Sequence, residues 1–255
     1  MRSALDASLV RQSAGGLALL AVWEFFSRIG WIDPFYLPAP SAIAATLYQV
    51  FADGSIWPHL IATLSAALVG LTLGLLIGAV LGFAAALIRP LADLLEPVMI
   101  LLNAIPRVIL APLFIIWFGI GLGSKIAVSL VLVAVLIFFA VYSGIREVDV
   151  RLVERVKTLG GGRATLLREV YIPSVTSWIM GNLKVAVGFS FTGAVVGEFV
   201  ASARGLGYLL SFAQSTYNAS LTIALIFLIM AFVLVLFGLA GRLERWLLAW
   251  RYAGT

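Results

Sequence analysis

The side chains that could do chemistry in this 255-residue chain are few and scattered. Cysteine is absent, which excludes disulfides, thiolate catalysis and Cys-based metal sites. The single histidine, His59, stands beside Trp57 and Pro58 with no acidic cluster next to it in sequence, so it reads as an interfacial residue rather than a ligand or a base. The nearest approach to a phosphate loop, Gly119-Ile-Gly-Leu-Gly123-Ser-Lys125, lacks the Gly-Lys-Ser/Thr order and the strand-to-helix setting that cradle a nucleotide. No nucleophile and base stand together in the apolar blocks, as a hydrolase within a membrane would need. What remains is a set of isolated charges in apolar surroundings: Arg107, Lys184 and Glu198. Arg107 has Asn103 four residues earlier, on the same face if the helix is continuous, and its donor fork suits carboxylate or sulfonate oxygens. Pro106 removes a backbone donor and leaves the Leu102 carbonyl without its helical partner, so a kinked or open helix is expected there. Lys184 is expected to snorkel toward the inner surface, and Glu198 has Arg204 as a cation within reach. Asn103, Arg107 and Glu198 are therefore the candidates for a substrate pathway.

The elements that hold these groups are dictated by composition. Hydrophobic residues make up 62% of the chain and charged ones 11%, with a mean hydropathy of +1.10. A soluble globular enzyme does not have such a composition, and long apolar blocks point to an all-α integral membrane protein. Six blocks reach the length of a span: about 12–29, 60–88, 96–118, 126–145, 178–200 and 219–241. The first, with Glu24 and Arg28, has no small-residue cleavage site and is expected to be retained. With the N-terminus inside, twelve Lys and Arg residues, Arg251 the last of them, fall in cytoplasmic segments and only Arg28, Lys125 and Arg204 outside. Both termini are thus expected in the cytoplasm. Trp23, Trp31, Trp57 and Trp117 then lie toward the outer interface, and Trp178, Trp246 and Trp250 toward the inner one. The formal charge of +5 belongs to those inner loops and not to a nucleic-acid surface. Ser41 is placed to cap a short outer helix ending near Phe51. In the second block, Ala62, Ala66, Gly70, Gly74, Gly78, Gly82 and Ala86 form a ladder of small residues at spacing four, which lets another helix approach closely. No internal repeat or linker divides residues 1–255, so one membrane domain is the economical reading.

The longest polar stretch, residues 146–177, is cytoplasmic by the charge rule. Apolar positions from Val150 to Leu159 suggest one short helix, Gly160 to Gly162 break it, and Leu166, Leu167 and Val170 suggest a second. A charged, glycine-hinged hairpin of this length suits docking to a soluble partner better than loop closure.

This segment resembles the "EAA" loop of ABC importer permeases. Glu154, Gly160 and Val170-Tyr-Ile-Pro173 fall where that motif has its glutamate, its glycine and its closing Ile-x-Leu-Pro, while Arg155 and Val156 replace the two alanines. Leu37-Pro-Ala-Pro-Ser41, Ala104-Ile-Pro106, Pro112-Leu-Phe-Ile-Ile-Trp-Phe-Gly-Ile-Gly121, Ser124-Lys-Ile126, Gly197-Glu-Phe199 and Gly205-Leu-Gly-Tyr208 are similar to permeases for nitrate, sulfonates and taurine. The resemblance implies a six-span, type I ABC importer permease in the inner membrane, carrying a small, often anionic nutrient. It implies pairing with a second copy, two ATP-binding subunits that hold the ATP and Mg, an external substrate-binding protein, and no cofactor or metal on this chain. The coupling element would comprise Glu154 and the run Gly160, Gly161, Gly162, Arg163, Ala164, Thr165, Leu166, Leu167 and Arg168. The rival reading is a secondary transporter or channel in which Arg107, Lys184 and Glu198 relay ions.

Overall fold

The computed structural model describes residues 2–247, and these are helical with connecting turns and no strand. In chain order the helices are α1 (Arg2–Arg28), α2 (Pro40–Ala52), α3 (Ile56–Leu87), α4 (Arg89–Ala104), α5 (Arg107–Phe118), α6 (Leu122–Arg146), α7 (Val150–Thr158), α8 (Arg163–Leu166), α9 (Ile172–Val200), α10 (Leu206–Ser215) and α11 (Ala219–Leu247). Trp250 and Arg251 lie outside the described residues.

The centre is a bundle of α3, α6 and α9. Without a hydrophobic effect between helices in lipid, close approach through small residues must hold them, and the ladder on α3 supplies it. A Cβ on Gly74 would lie 2.9 Å from the Leu130 carbonyl oxygen, one on Gly78 2.5 Å from that of Ala134, and one on Gly82 2.6 Å from that of Phe138. The facing residues of α6, Val133, Ile137, Phe138 and Val141, are fully buried. Gly193 of α9 sits against the backbone of Ser129, the α6 residue that Gly70 of α3 also meets. Two hydroxyls tie the three helices: Ser129 Oγ donates to the Ser190 carbonyl at 2.8 Å, and Ser190 Oγ donates to that of Ala67. Around this bundle, α10 and α11 pack through Leu206, Ala213, Leu225 and Leu228 against Ala66, Phe191 and Ala194.

Among the described residues, four helical segments are long and apolar enough to cross a bilayer: Ile56–Leu87, Leu122–Arg146, Arg163–Val200 and Ala219–Trp246. The block expected over 96–118 is not one straight span. Helix α4 ends at Ala104, α5 starts after Pro106, and the two are bent by 110°, making a fifth crossing only if counted together. The block over 12–29 lies in α1, part of which falls outside the described side chains, and is not among the four. Glu24 has a local use: its carboxylate pairs with Arg28 and accepts from the backbone N–H and hydroxyl of Ser41 at 3.0 and 2.7 Å. Ser41 is accordingly not the cap of α2. Ala39 holds that position, with Pro40 at the first helical residue where its missing N–H is harmless, and Glu24 satisfies one of the free amides from outside.

Candidate functional site

The polar segment over residues 146–177 is built from its caps. Asp149 starts α7 by accepting from the Arg151 amide at 2.9 Å. The helix ends in a Schellman turn: Gly161 N–H donates to the Val156 carbonyl at 2.8 Å and Gly160 N–H to that of Lys157 at 3.0 Å. Gly160 adopts φ +82, which a side chain resists. Val153 and Val156 are half-buried, whereas Val150, Leu152, Glu154 and Leu159 are exposed, so α7 offers a mixed apolar and charged face outward.

The second half differs from the expected hairpin. Residues Gly162 to Arg168 do not form a separate helix that is followed by a span. Arg163 begins a helix that runs through α8, a π-helical turn at Leu167–Tyr171 and α9 to Val200. Pro173, the last residue of the motif, occupies the first turn of α9, and the π turn, with Ile172 N–H bonded to the Leu167 carbonyl, carries the backbone past it. Residues 163–177 are thus one end of the long helix that reaches Val200. Among the coupling candidates, Glu154, Gly160, Gly162, Arg163, Ala164, Thr165 and Arg168 are exposed, while Gly161, Leu166 and Leu167 are half-buried. Above them Ser174, Ser177, Gly181 and Asn182 of α9, with Trp178, line a polar cavity of about 470 Å³.

The pathway candidates are separated. The break at Ile105 and Pro106 puts Asn103 and Arg107 on different helices, so they do not share a face, and Arg107 stands at the start of α5 rather than in mid-helix. Its side chain lies outside the described residues. Asn103 sits beside Val131, Leu132 and Val135 of α6 and Phe189 of α9. Lys184 does not merely snorkel: its Nζ is 2.9 Å from Glu244 Oε2 on α11. Glu198 is not paired with Arg204. It is buried, and its Oε2 accepts from Thr63 Oγ1 at 2.8 Å and from the Gly207 amide at 3.0 Å. His59 is more than an interfacial ring, since its Nδ1 accepts from the Gly205 amide at 3.1 Å and its ring lies parallel to Tyr208. Thr63 was missed as a partner of Glu198, and His59 as a partner of Gly205, because more than a hundred residues separate each pair in the chain. Among the described residues, no group of three or more His, Cys, Asp or Glu could hold a metal ion.

A model of binding-protein-dependent transport system inner membrane components matches residues 70–249, the broken helix, the polar segment and the Glu198 region together. The chain belongs to this family. The permease is 38% identical over 234 residues to the riboflavin transport system permease RibX of Chloroflexus aurantiacus, covering 92% of this chain and 87% of that one. It is 30% identical to the taurine transport system permease TauC of Escherichia coli, covering 94% and 90%. An amino acid ABC transporter crystal structure shares the fold at TM-score 0.62 and 20% identity, over 78% of this permease and 97% of that chain. This permease is the multi-pass, inner-membrane component of an ABC importer for a small substrate.

Proposed function

We propose that the permease crosses the membrane six times with both termini in the cytoplasm, pairs with a second copy, and is driven by two ATP-binding subunits that hold and hydrolyse ATP with Mg. An external binding protein delivers the substrate. The observation that carries this reading is the cytoplasmic element: a capped helix, α7, closed by the Gly160 turn and leading without a loop into the helix that ends at Val200. Glu154 and the residues from Gly160 to Arg168 form the docking surface, with α7 as its projecting helix. Closure of the ATP-binding subunits moves this surface, and α9 carries the movement outward.

The pathway runs past the α4–α5 break. Irregular backbone at membrane depth is tolerated only where protein or water covers it. Asn103, Ala104 and Pro106 are exposed on the single chain, which supports a second copy or a water-filled path on that side. Arg107 at the break supports a small anion such as a sulfonate or nitrate as cargo. The second reading is an uncharged, hydrogen-bonding ring compound, favoured by the uncharged lining of the inner cavity, Ser174, Ser177, Trp178 and Asn182. The deciding measurement is the compound retained by the binding protein that stimulates the complex.

The functional reading predicts that an ATP-binding subunit co-purifies with the permease and hydrolyses ATP in response to the loaded binding protein. In that assembly Arg107→Gln keeps basal ATP hydrolysis and loses most transport of an anion. Unchanged transport kinetics in this variant would leave the uncharged ring compound as cargo. Orientation has its own check, because the chain has no native cysteine. Cysteines replacing Ser55 and Ser202 should react with an impermeant thiol reagent from outside, and one replacing Thr165 only from inside. External labelling at position 165 reverses the assignment.

A further inference from the structure

Three consecutive backbone amides at the start of α10 are capped by side chains from other helices. Gly205 N–H donates to His59 Nδ1 at 3.1 Å, Leu206 N–H to Thr63 Oγ1 at 2.8 Å, and Gly207 N–H to Glu198 Oε2 at 3.0 Å. Thr63 closes the ring by donating to the same Oε2 at 2.8 Å. Helix starts leave such amides without intrahelical partners, and a local Ser, Thr, Asn or Asp ordinarily satisfies them. Here the cap position is Gly205, with φ +124, and it supplies no side chain. A Cβ on Gly205 would overlap the Glu198 carboxylate, and one on Gly207 the Val195 carbonyl, so both positions are shaped by the contact.

A cap supplied in this way is a constraint between elements. His59 and Thr63 belong to α3 and Glu198 to α9, so all three amides are satisfied only while the ends of α3 and α9 stay together. Thr63 and Glu198 are 0% and 2% exposed, and a buried carboxylate is expensive where an apolar contact would serve for packing alone. Lys125 of α6, itself buried and bonded to the Ile120 carbonyl, lines the same cavity as Glu198 from a third helix. Beside the cluster lies a cavity of about 250 Å³ walled by Lys125, Glu198, Arg204 and Ala203, which leaves room for residues 201–205 to shift.

We propose that His59, Thr63 and Glu198 form a state-sensitive clasp that fastens α10 across the outer ends of α3 and α9, with Glu198 as its central positioning residue. The clasp is closed in the present arrangement and opens when the ends of α3 and α9 separate during transport. The proposal rests on the importer reading for that last step, whereas the clasp itself does not depend on it.

Hydrogen exchange of the full-length chain tests it directly, since the amides of Gly205, Leu206 and Gly207 have no intrahelical acceptor and owe their protection to the clasp. Glu198→Ala should raise their exchange rates at least about tenfold, as loss of roughly 1.4 kcal/mol of protection would. Glu198→Gln should keep them slow, because one carbonyl oxygen reproduces both bonds now made to Oε2. A cysteine replacing the buried Ala213 gives a second measure: shielded from an impermeant thiol reagent in the native background and in Glu198→Gln, reactive in Glu198→Ala and Thr63→Val. In the complex with its ATP-binding subunits, a non-hydrolysable ATP analogue should speed exchange at the same three amides. Unchanged exchange in Glu198→Ala, or equal loss in the Gln and Ala variants, overturns the clasp. Exchange insensitive to nucleotide in a complex that hydrolyses ATP makes it a static brace and overturns the state dependence. If no ATP-binding subunit co-purifies, the importer reading and the transport step fail together, and the substitution series on the chain alone still decides the clasp.

Discussion

Valine at position 160 is expected to cut coupled transport about tenfold or more while leaving the chain in the membrane. The backbone there has φ +82, a region that costs an ordinary L-residue roughly 1–2 kcal/mol, and more when it is β-branched. A penalty of about 1.4 kcal/mol already shifts the turn population tenfold. The Schellman bonds from Gly160 and Gly161 to Lys157 and Val156 would be lost, and with them the angle between α7 and the helix starting at Arg163. Gly160→Asn is the matched control, since asparagine tolerates this conformation and should retain most activity. Glu154→Lys leaves the turn intact and reverses a charge on the exposed face proposed for docking, so it should lower stimulated ATP hydrolysis without altering exchange in the turn. The readouts are substrate uptake and ATP hydrolysis stimulated by the binding protein, at matched membrane levels. Normal coupling in both Gly160→Val and Glu154→Lys would remove the docking role from this segment.

The largest loss of stability is expected at the seam between α3 and α6. Gly78→Ala adds one methyl group, which in an open helix improves stability by up to about 1 kcal/mol. At this position the methyl would stand 2.5 Å from the Ala134 carbonyl oxygen and 3.0 Å from its Cα, both backbone atoms that cannot rotate away. Overpacking of this kind costs about 1–3 kcal/mol, so the clash outweighs the gain in propensity. Gly78→Val should be worse and fail to yield a folded chain. At Gly181 a Cβ meets nothing within 4 Å, and Gly181→Ala should be neutral or mildly stabilising. Thermal unfolding in detergent separates the two: a clear drop in midpoint for Gly78→Ala, none for Gly181→Ala. Equal midpoints would mean that the helices can separate at little expense and that the ladder is not what holds them.

That seam was legible in the sequence because its information is local. A repeat at spacing four names a helix face whatever the partner is, and Ala66, Gly70, Gly74, Gly78 and Gly82 are either buried or packed against neighbouring backbone. The turn at Gly160 was legible for the same reason, a polar run interrupted by three glycines. Pro106 announced a discontinuity but not its 110° angle, which is set by how α5 packs through Leu110, Ala111 and Phe114 on Val128 and Leu132. Reading Asn103 and Arg107 as one face assumed a helix that this bend removes. The partners of Glu198 and Lys184 were hidden for a different reason. Local spacing suggested Arg204 for the first and the aqueous surface for the second, whereas the chain returns Thr63 and Glu244 from distant helices. Charges at membrane depth signal that partners exist, and only the packing says which.

The unbroken helix from Arg163 to Val200 has a mechanical meaning. Its 38 residues make a rod about 57 Å long, with the proposed docking residues at one tip and Glu198 two residues from the other. Tilting a stiff rod of that length by about 5° around its middle swings each tip through roughly 2.5 Å. A hydrogen bond of 3.0 Å to Gly207 does not survive such a displacement. In the proposed transport cycle a small tilt of this lever, driven from its docking end, therefore suffices to unfasten the clasp at Gly207.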